Sequence, residues 1–126
     1  MVTNFNEPAE LIAKFMEIKD SGRVICIFSG APNAHGVNWC PDCDVAKPAI
    51  SKVLESPKCP PVLYGSVIER NSWVGVSTHP YKQHPILKAA GVPTVVMFED
   101  GQERHRVDDL KDFANEELMA MFLEEW

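Results

Sequence analysis

Apolar positions along the chain follow two different rhythms. In "EPAELIAKFMEIKD" they recur at helical spacing, with Leu11, Ile12, Phe15, Met16 and Ile18 forming a stripe. Asn6 can cap this helix, Pro8 is tolerated in its first turn, and Ser21-Gly22 ends it. "RVICIF" is instead apolar without alternation, as a central strand covered on both faces requires. After the polar loop "SGAPNAHGVN", "DCDVAKPAISKVLES" reads as a helix interrupted at Pro48. "PPVLYGSVI" reads as a second central strand, entered at Pro60-Pro61 and weakened by Gly65. A long polar loop, "ERNSWVGVSTHPYKQ", leads to a short helical segment "HPILKAAG". In "VPTVVMFEDGQERHRV", Asp100-Gly101 between two β-type runs marks a hairpin. Asn115 caps a closing helix, "EELMAMFLEEW", with Leu118, Met121 and Phe122 on one face. The order implies one α/β domain spanning residues 1–126, with a mixed sheet and an antiparallel edge.

A chain of 126 residues can bury a core without disulfide or metal staples. Twelve basic against eighteen acidic residues give a net charge of −6, which excludes a phosphate backbone or an anionic membrane as the expected partner. The first twenty residues lack the order of a signal peptide, and the longest apolar run is far short of the ~20 residues a bilayer span needs. A soluble, cytoplasmic monomer is expected. In a reducing compartment, a close pair of cysteines is more often catalytic or metal-binding than structural.

That pair is Cys40 and Cys43, in "NWCPDC". A helix starting at Pro41 puts Cys40 at its N-terminus and Cys43 one turn on, on the same side. Free N–H groups and the helix dipole stabilise a thiolate at Cys40, which makes it the nucleophile; Cys43 resolves the mixed disulfide. Pro41 and Asp42 tune the poise. Pro41 removes one N–H donor, and the Asp42 charge opposes a neighbouring anion. Cys-X-X-Cys thiols span pKa values of about 3.5 to 7.5, and Asp42 places this one toward the upper end. A zinc site is disfavoured, because Cys26, Cys59 and four histidines supply no second close pair. Cys26 reads as a core thiol and Cys59 as a strand-entry thiol. His79, His84 and His105 read as surface residues, and Tyr64 and Phe98 as core strand positions.

"WCPDC" after a buried strand, Pro48 eight positions beyond Cys40, "GVPT" before the hairpin and the closing helix together resemble the thioredoxin superfamily along nearly the whole chain. Phe28-Ser29-Gly30, an inserted loop and Trp-Cys-Pro-Asp-Cys are most similar to its small cytosolic 14-kDa branch, the Clot or thioredoxin domain-containing protein 17 family. The resemblance implies a thioredoxin fold, a central mixed β-sheet with helices on both faces. It makes Cys40 the nucleophile and Cys43 the resolving thiol, and matches Pro93 to a cis-proline that turns the backbone of Val92 toward substrate; an ordinary proline at a strand start is the other reading. Trp39 is either an apolar wall beside the thiolate or a packing residue. Trp73, on the long loop 69–83, is expected near the redox pair as a substrate contact. The buried Asp and Lys of ordinary thioredoxins align with Cys26 and near Gly65, so neither charge survives.

The resemblance further implies a protein-disulfide reductase with no bound cofactor, fed by NADPH through thioredoxin reductase. Its substrates would be selected disulfide-containing proteins and small disulfides such as cystine. The alternative is a non-catalytic module of the same fold that binds a cytosolic signalling or cytoskeletal partner.

Overall fold

A computed structural model describes residues 1–124 of the chain. Five strands form one sheet in the order β1-β3-β2-β4-β5: β1 (Val2–Phe5), β2 (Arg23–Gly30), β3 (Val62–Val67), β4 (Thr94–Glu99) and β5 (Gln102–Val107). β1, β3 and β2 run parallel, while β4 and β5 are antiparallel to their neighbours. Asp100 and Gly101 turn the β4–β5 hairpin with φ of 50° and 82°, the positive values that a two-residue turn between twisted strands demands.

β2 is buried along almost its whole length because helices cover both of its faces. On one face, α1 (Pro8–Ile18) lays Leu11 and Phe15 against Val24, Cys26, Phe28, Val96 and Phe98. The alternate residues Ile25 and Ile27 meet Ala46, Ile50 and Val53 of α2 (Pro41–Glu55) on the other face, together with Phe113 and Phe122. One strand thus anchors two cores, and its C-terminal end fixes where the loop 31–38 departs.

Several elements differ from the sequence reading. β1 was not anticipated; it exists by pairing in register with β3 from Val2↔Val62 to Phe5↔Gly65. α1 starts after Glu7 rather than Asn6, with no side-chain cap, and Met16 of its stripe is exposed. α2 runs unbroken through Pro48, since burial of Ala46, Ile50 and Val53 holds both halves on the sheet. The loop 69–83 carries two short helices, α3 (Arg70–Trp73) and α4 (Pro80–Gln83). "HPILKAAG" forms turns rather than a helix, with Lys88 at a φ of 46°. Before the closing helix lies another short one, α5 (Leu110–Phe113). α6 (Glu116–Ala120) is capped by Asn115 as expected and tightens into a 3₁₀ turn, Met121–Leu123. Its buried residues are Met119 and Phe122, with Leu118 half-covered, and the reading's last two positions lie outside the described residues.

Tyr81 is almost fully buried, its ring 4.6 Å from that of Phe28, and its hydroxyl has no hydrogen-bond partner. A buried hydroxyl without a partner costs about 1–3 kcal/mol of desolvation. Tyr81→Phe is therefore expected to raise the urea midpoint, with a stability gain of about 1 kcal/mol.

Candidate redox site

The redox pair forms where β2 ends and α2 begins. Cys40 is the N-cap of α2, with extended backbone, and Pro41 occupies the first helical position, where its missing N–H has no intrahelical partner to lose. Cys40 and Cys43 are joined as a disulfide with their Cα atoms 5.3 Å apart. The Cys43 N–H points at Cys40 Sγ (3.2 Å), and the Gly30 N–H points at Cys43 Sγ (3.2 Å). Each sulfur faces a backbone donor, the arrangement that favours a thiolate once the bond is reduced. Both cysteines are nearly covered, at 5% and 3% exposure, so they differ little in shielding.

Gly30 is required here for space. A Cβ at this position would stand 2.6 Å from Cys40 Cβ and 2.8 Å from Asn38 Oδ1. Asn38 clamps the site: its Oδ1 accepts from the Cys40 N–H (3.0 Å), while its Nδ2 donates to the Gly30 carbonyl and to Asp44 Oδ1 (both 3.2 Å). Sequence reasoning passed over Asn38. The available signal was an Asn two positions before a helix start, where its short side chain can reach its own backbone two residues on.

The Val92–Pro93 peptide bond is cis, and the Val92 carbonyl lies 3.9 Å from Cys40 Sγ. Trp39 is half-buried against the core and donates its Nε1–H to the Val67 carbonyl (2.7 Å), so its ring is held in place. Asp42 and Pro41 are exposed on the first turn of α2. The structure thus brings Trp39, Cys40, Pro41, Asp42, Cys43, Val92 and Pro93 to one end of the sheet. Trp73 does not share their setting. It is 4% exposed, packed in the core with His79 edge-on at 4.8 Å and Lys82 Nζ 4.5 Å from its ring centroid. It was expected as a substrate contact on a polar loop, but the two short helices of that loop turn the ring inward.

Cys26 is sealed in the core, and burial pushes its thiol far above the ordinary range; burial also raises Cys59, whose Sγ lies 3.3 Å from the Pro60 carbonyl. Neither competes with the pair as a nucleophile. Among the described residues no group of three or more His, Cys, Asp or Glu could hold a metal ion.

His79 is a further correction, being buried rather than on the surface; His84 and His105 are half-buried. Burial lowers the pKa of His79, with a smaller push from Lys82, and burial lowers His84. Both rings also accept backbone N–H bonds at Nδ1, which only the neutral form can do. A folded-state pKa below the unfolded value means that acid protonates the unfolded chain first, so this contribution is present above about pH 6.5 and is lost as pH falls. Urea midpoints are expected to drop between pH 7 and pH 5, and substituting both histidines with Asn is expected to flatten the drop.

A five-stranded mixed sheet with a Cys-X-X-Cys disulfide at the start of a helix, facing a cis-proline, defines a thioredoxin-fold domain of the thiol-disulfide oxidoreductase kind. The model of the thioredoxin domain of thioredoxin domain-containing protein 17-like proteins matches residues 1–125, and the chain belongs to that family. Thioredoxin domain-containing protein 17 of Danio rerio is 31% identical over 90 residues, covering 71% of each chain. The protein of that name from Epinephelus coioides is 36% identical over 76 residues, 60% of this chain and 59% of its own length. Thioredoxin-like protein Clot of Arabidopsis thaliana is 33% identical over 75 residues, 59% of this chain and 55% of its own. The chain thus spans little more than half the length of these last two relatives. Among solved structures, oxidised thioredoxin O2 of Arabidopsis thaliana aligns with a TM-score of 0.61 at 18% identity, covering 98% of this chain and 95% of that one, a likeness of fold.

Proposed function

We propose that the protein is a cytoplasmic protein-disulfide reductase working through Cys40 and Cys43. The observation that carries this reading is the pair itself: Cys40 caps α2, a backbone N–H faces each sulfur, and Asn38 and Gly30 hold the loop against them.

In the reduced protein, the Cys40 thiolate attacks one sulfur of a substrate disulfide. The Cys40–substrate bond forms, the substrate S–S bond breaks, and the departing thiolate takes a proton from water. Cys43 then gives up its proton and attacks Cys40 Sγ; the Cys40–Cys43 bond closes and the second substrate thiol leaves. Two electrons have passed from the dithiol to the substrate. NADPH, through thioredoxin reductase, supplies the two that reopen the disulfide.

The recessed sulfurs support selectivity, since at 5% exposure Cys40 is reached more easily by small or flexible disulfides such as cystine than by rigid protein surfaces. The experiment is NADPH oxidation by thioredoxin reductase with cystine as the terminal acceptor. Turnover that depends on this protein is expected, faster with cystine than with insulin. Absence of turnover while the protein's own disulfide is reduced by dithiothreitol would refute the reading.

A further inference from the structure

We propose that a cleft between the start of α1 and the end of β3 binds an ammonium group with an adjacent carboxyl or carbonyl oxygen, the grouping carried by free α-amino acids and by peptide N-termini. The cleft holds about 330 Å³ and is bordered by Asn6, Glu7, Ser66, Glu69, Ser72 and His79.

His79 carries the argument. It is 6% exposed, and its Nδ1 accepts from the Tyr81 N–H (3.1 Å), which puts the proton of the neutral ring on Nε2. Nε2 makes no hydrogen bond among the described residues. It is not sealed either, since the Tyr81 hydroxyl is the one buried side-chain polar atom there without a partner. The Nε2–H is therefore a fixed donor that solvent can reach, on a ring that borders the cleft. A metal ion does not suit it: coordination needs a bare Nε2, which would move the proton to Nδ1 and set it against the Tyr81 N–H.

The donor wants an oxygen acceptor, and two further features say what accompanies that oxygen. Glu7 and Glu69 are exposed on the rim, and neither carboxylate forms a salt bridge among the described residues. A hydrogen-bond donor on the cleft wall and unpaired negative charge on its rim match an oxygen and an ammonium group held a few bonds apart. Val67, on the cleft wall, also accepts the indole N–H of Trp39, the residue that precedes Cys40.

The test is a ¹H–¹⁵N NMR titration of the oxidised protein with glycine and glycinamide, and with acetate and methylammonium as half-ligands, each up to about 100 mM to reach millimolar affinities. Saturable shifts confined to residues 66–72 and 79 are expected with glycine or glycinamide, and at least tenfold weaker binding with either half-ligand. Preference for glycine identifies free amino acids; preference for glycinamide identifies peptide N-termini. Glu69→Gln removes an exposed charge, and His79→Asn keeps an acceptor for the Tyr81 N–H while losing the ring donor. Each is expected to weaken binding roughly tenfold, the loss of one charge-assisted hydrogen bond. No saturable shifts, equal binding of the half-ligands, or wild-type affinity in both variants would overturn the proposal. No disulfide exchange occurs in this titration, so its outcome is independent of the proposed reductase activity.

Discussion

Cys40→Ser is expected to lower turnover in the coupled NADPH assay by on the order of 10³-fold or more, the scale of loss when a nucleophile acting in a chain of covalent steps is removed. Cys43→Ser is expected to lose turnover for a different reason. Its Cys40 still opens the substrate disulfide, but no second thiol stands one helical turn away to release it, so a mixed disulfide accumulates. Intact-mass spectrometry after incubation with cystine distinguishes the two: an added half-cystine on Cys43→Ser and none on Cys40→Ser. The reverse pattern would exchange the two roles. Equal activity in both variants and the wild type would remove the dithiol from the reaction.

Gly30→Ala is expected to have the second largest effect, on stability and activity together. The added methyl meets Cys40 Cβ at 2.6 Å, Asn38 Oδ1 at 2.8 Å and the Trp39 ring at 3.3 Å. The first two distances are shorter than atoms tolerate, and Cys40 and Asn38 are held by the helix start and by the Asn38 clamp, so the strain has no flexible side chain to dissipate into. Overpacking of this kind costs about 1–3 kcal/mol. Any relaxation displaces Cys40 from the start of α2, so the rate of disulfide exchange should fall even where the variant is fully folded. Urea unfolding and reaction with cystine, measured on the same preparation, check both halves.

The chemistry-bearing part of the site was legible in the sequence because it depends on local spacing. Cys40, Pro41 and Cys43 lie within one helical turn, and a Pro at the first position announces where that turn begins. The central strand "RVICIF" was legible because burial on both faces leaves no polar position, and Asp100-Gly101 because few residues accept positive φ at two successive positions. What escaped depends on distant partners. Val2–Phe5 is mostly exposed and carries polar Thr3 and Asn4; only its pairing with β3 makes it a strand. Trp73 and His79 sit in a polar stretch, and their burial follows from how α3 and α4 fold that stretch back on the core. Pro48 looked like a helix breaker because the propensity cost is visible in the sequence, whereas the compensating burial of Ala46, Ile50 and Val53 is not. Asn38 was missed because only its bond to the Cys40 N–H is local, while the bonds to Gly30 and Asp44 that complete the clamp form when the end of β2 and the first turn of α2 come together.

Two neighbouring features bear on the thiolate in opposite directions. The helix start and the Cys43 N–H stabilise charge on Cys40 Sγ, while Asp42 and Asp44 on the same turn oppose it, with Asp44 engaged by Asn38. Asn38→Ala is expected to free the Asp44 carboxylate and to slow disulfide exchange without unfolding the domain, which reaction rates with cystine and a urea titration would separate.

The most direct measurement is the pH dependence of iodoacetamide alkylation of Cys40 in Cys43→Ser, with the modified residue identified by peptide mass, since Cys26 is sealed in the core while Cys59 is half-buried with its thiol pKa raised. A helix-start thiolate tempered by the acidic turn predicts a midpoint between about 5 and 7.5. A midpoint at or above about 8.5, the value of an ordinary free thiol, would contradict the account.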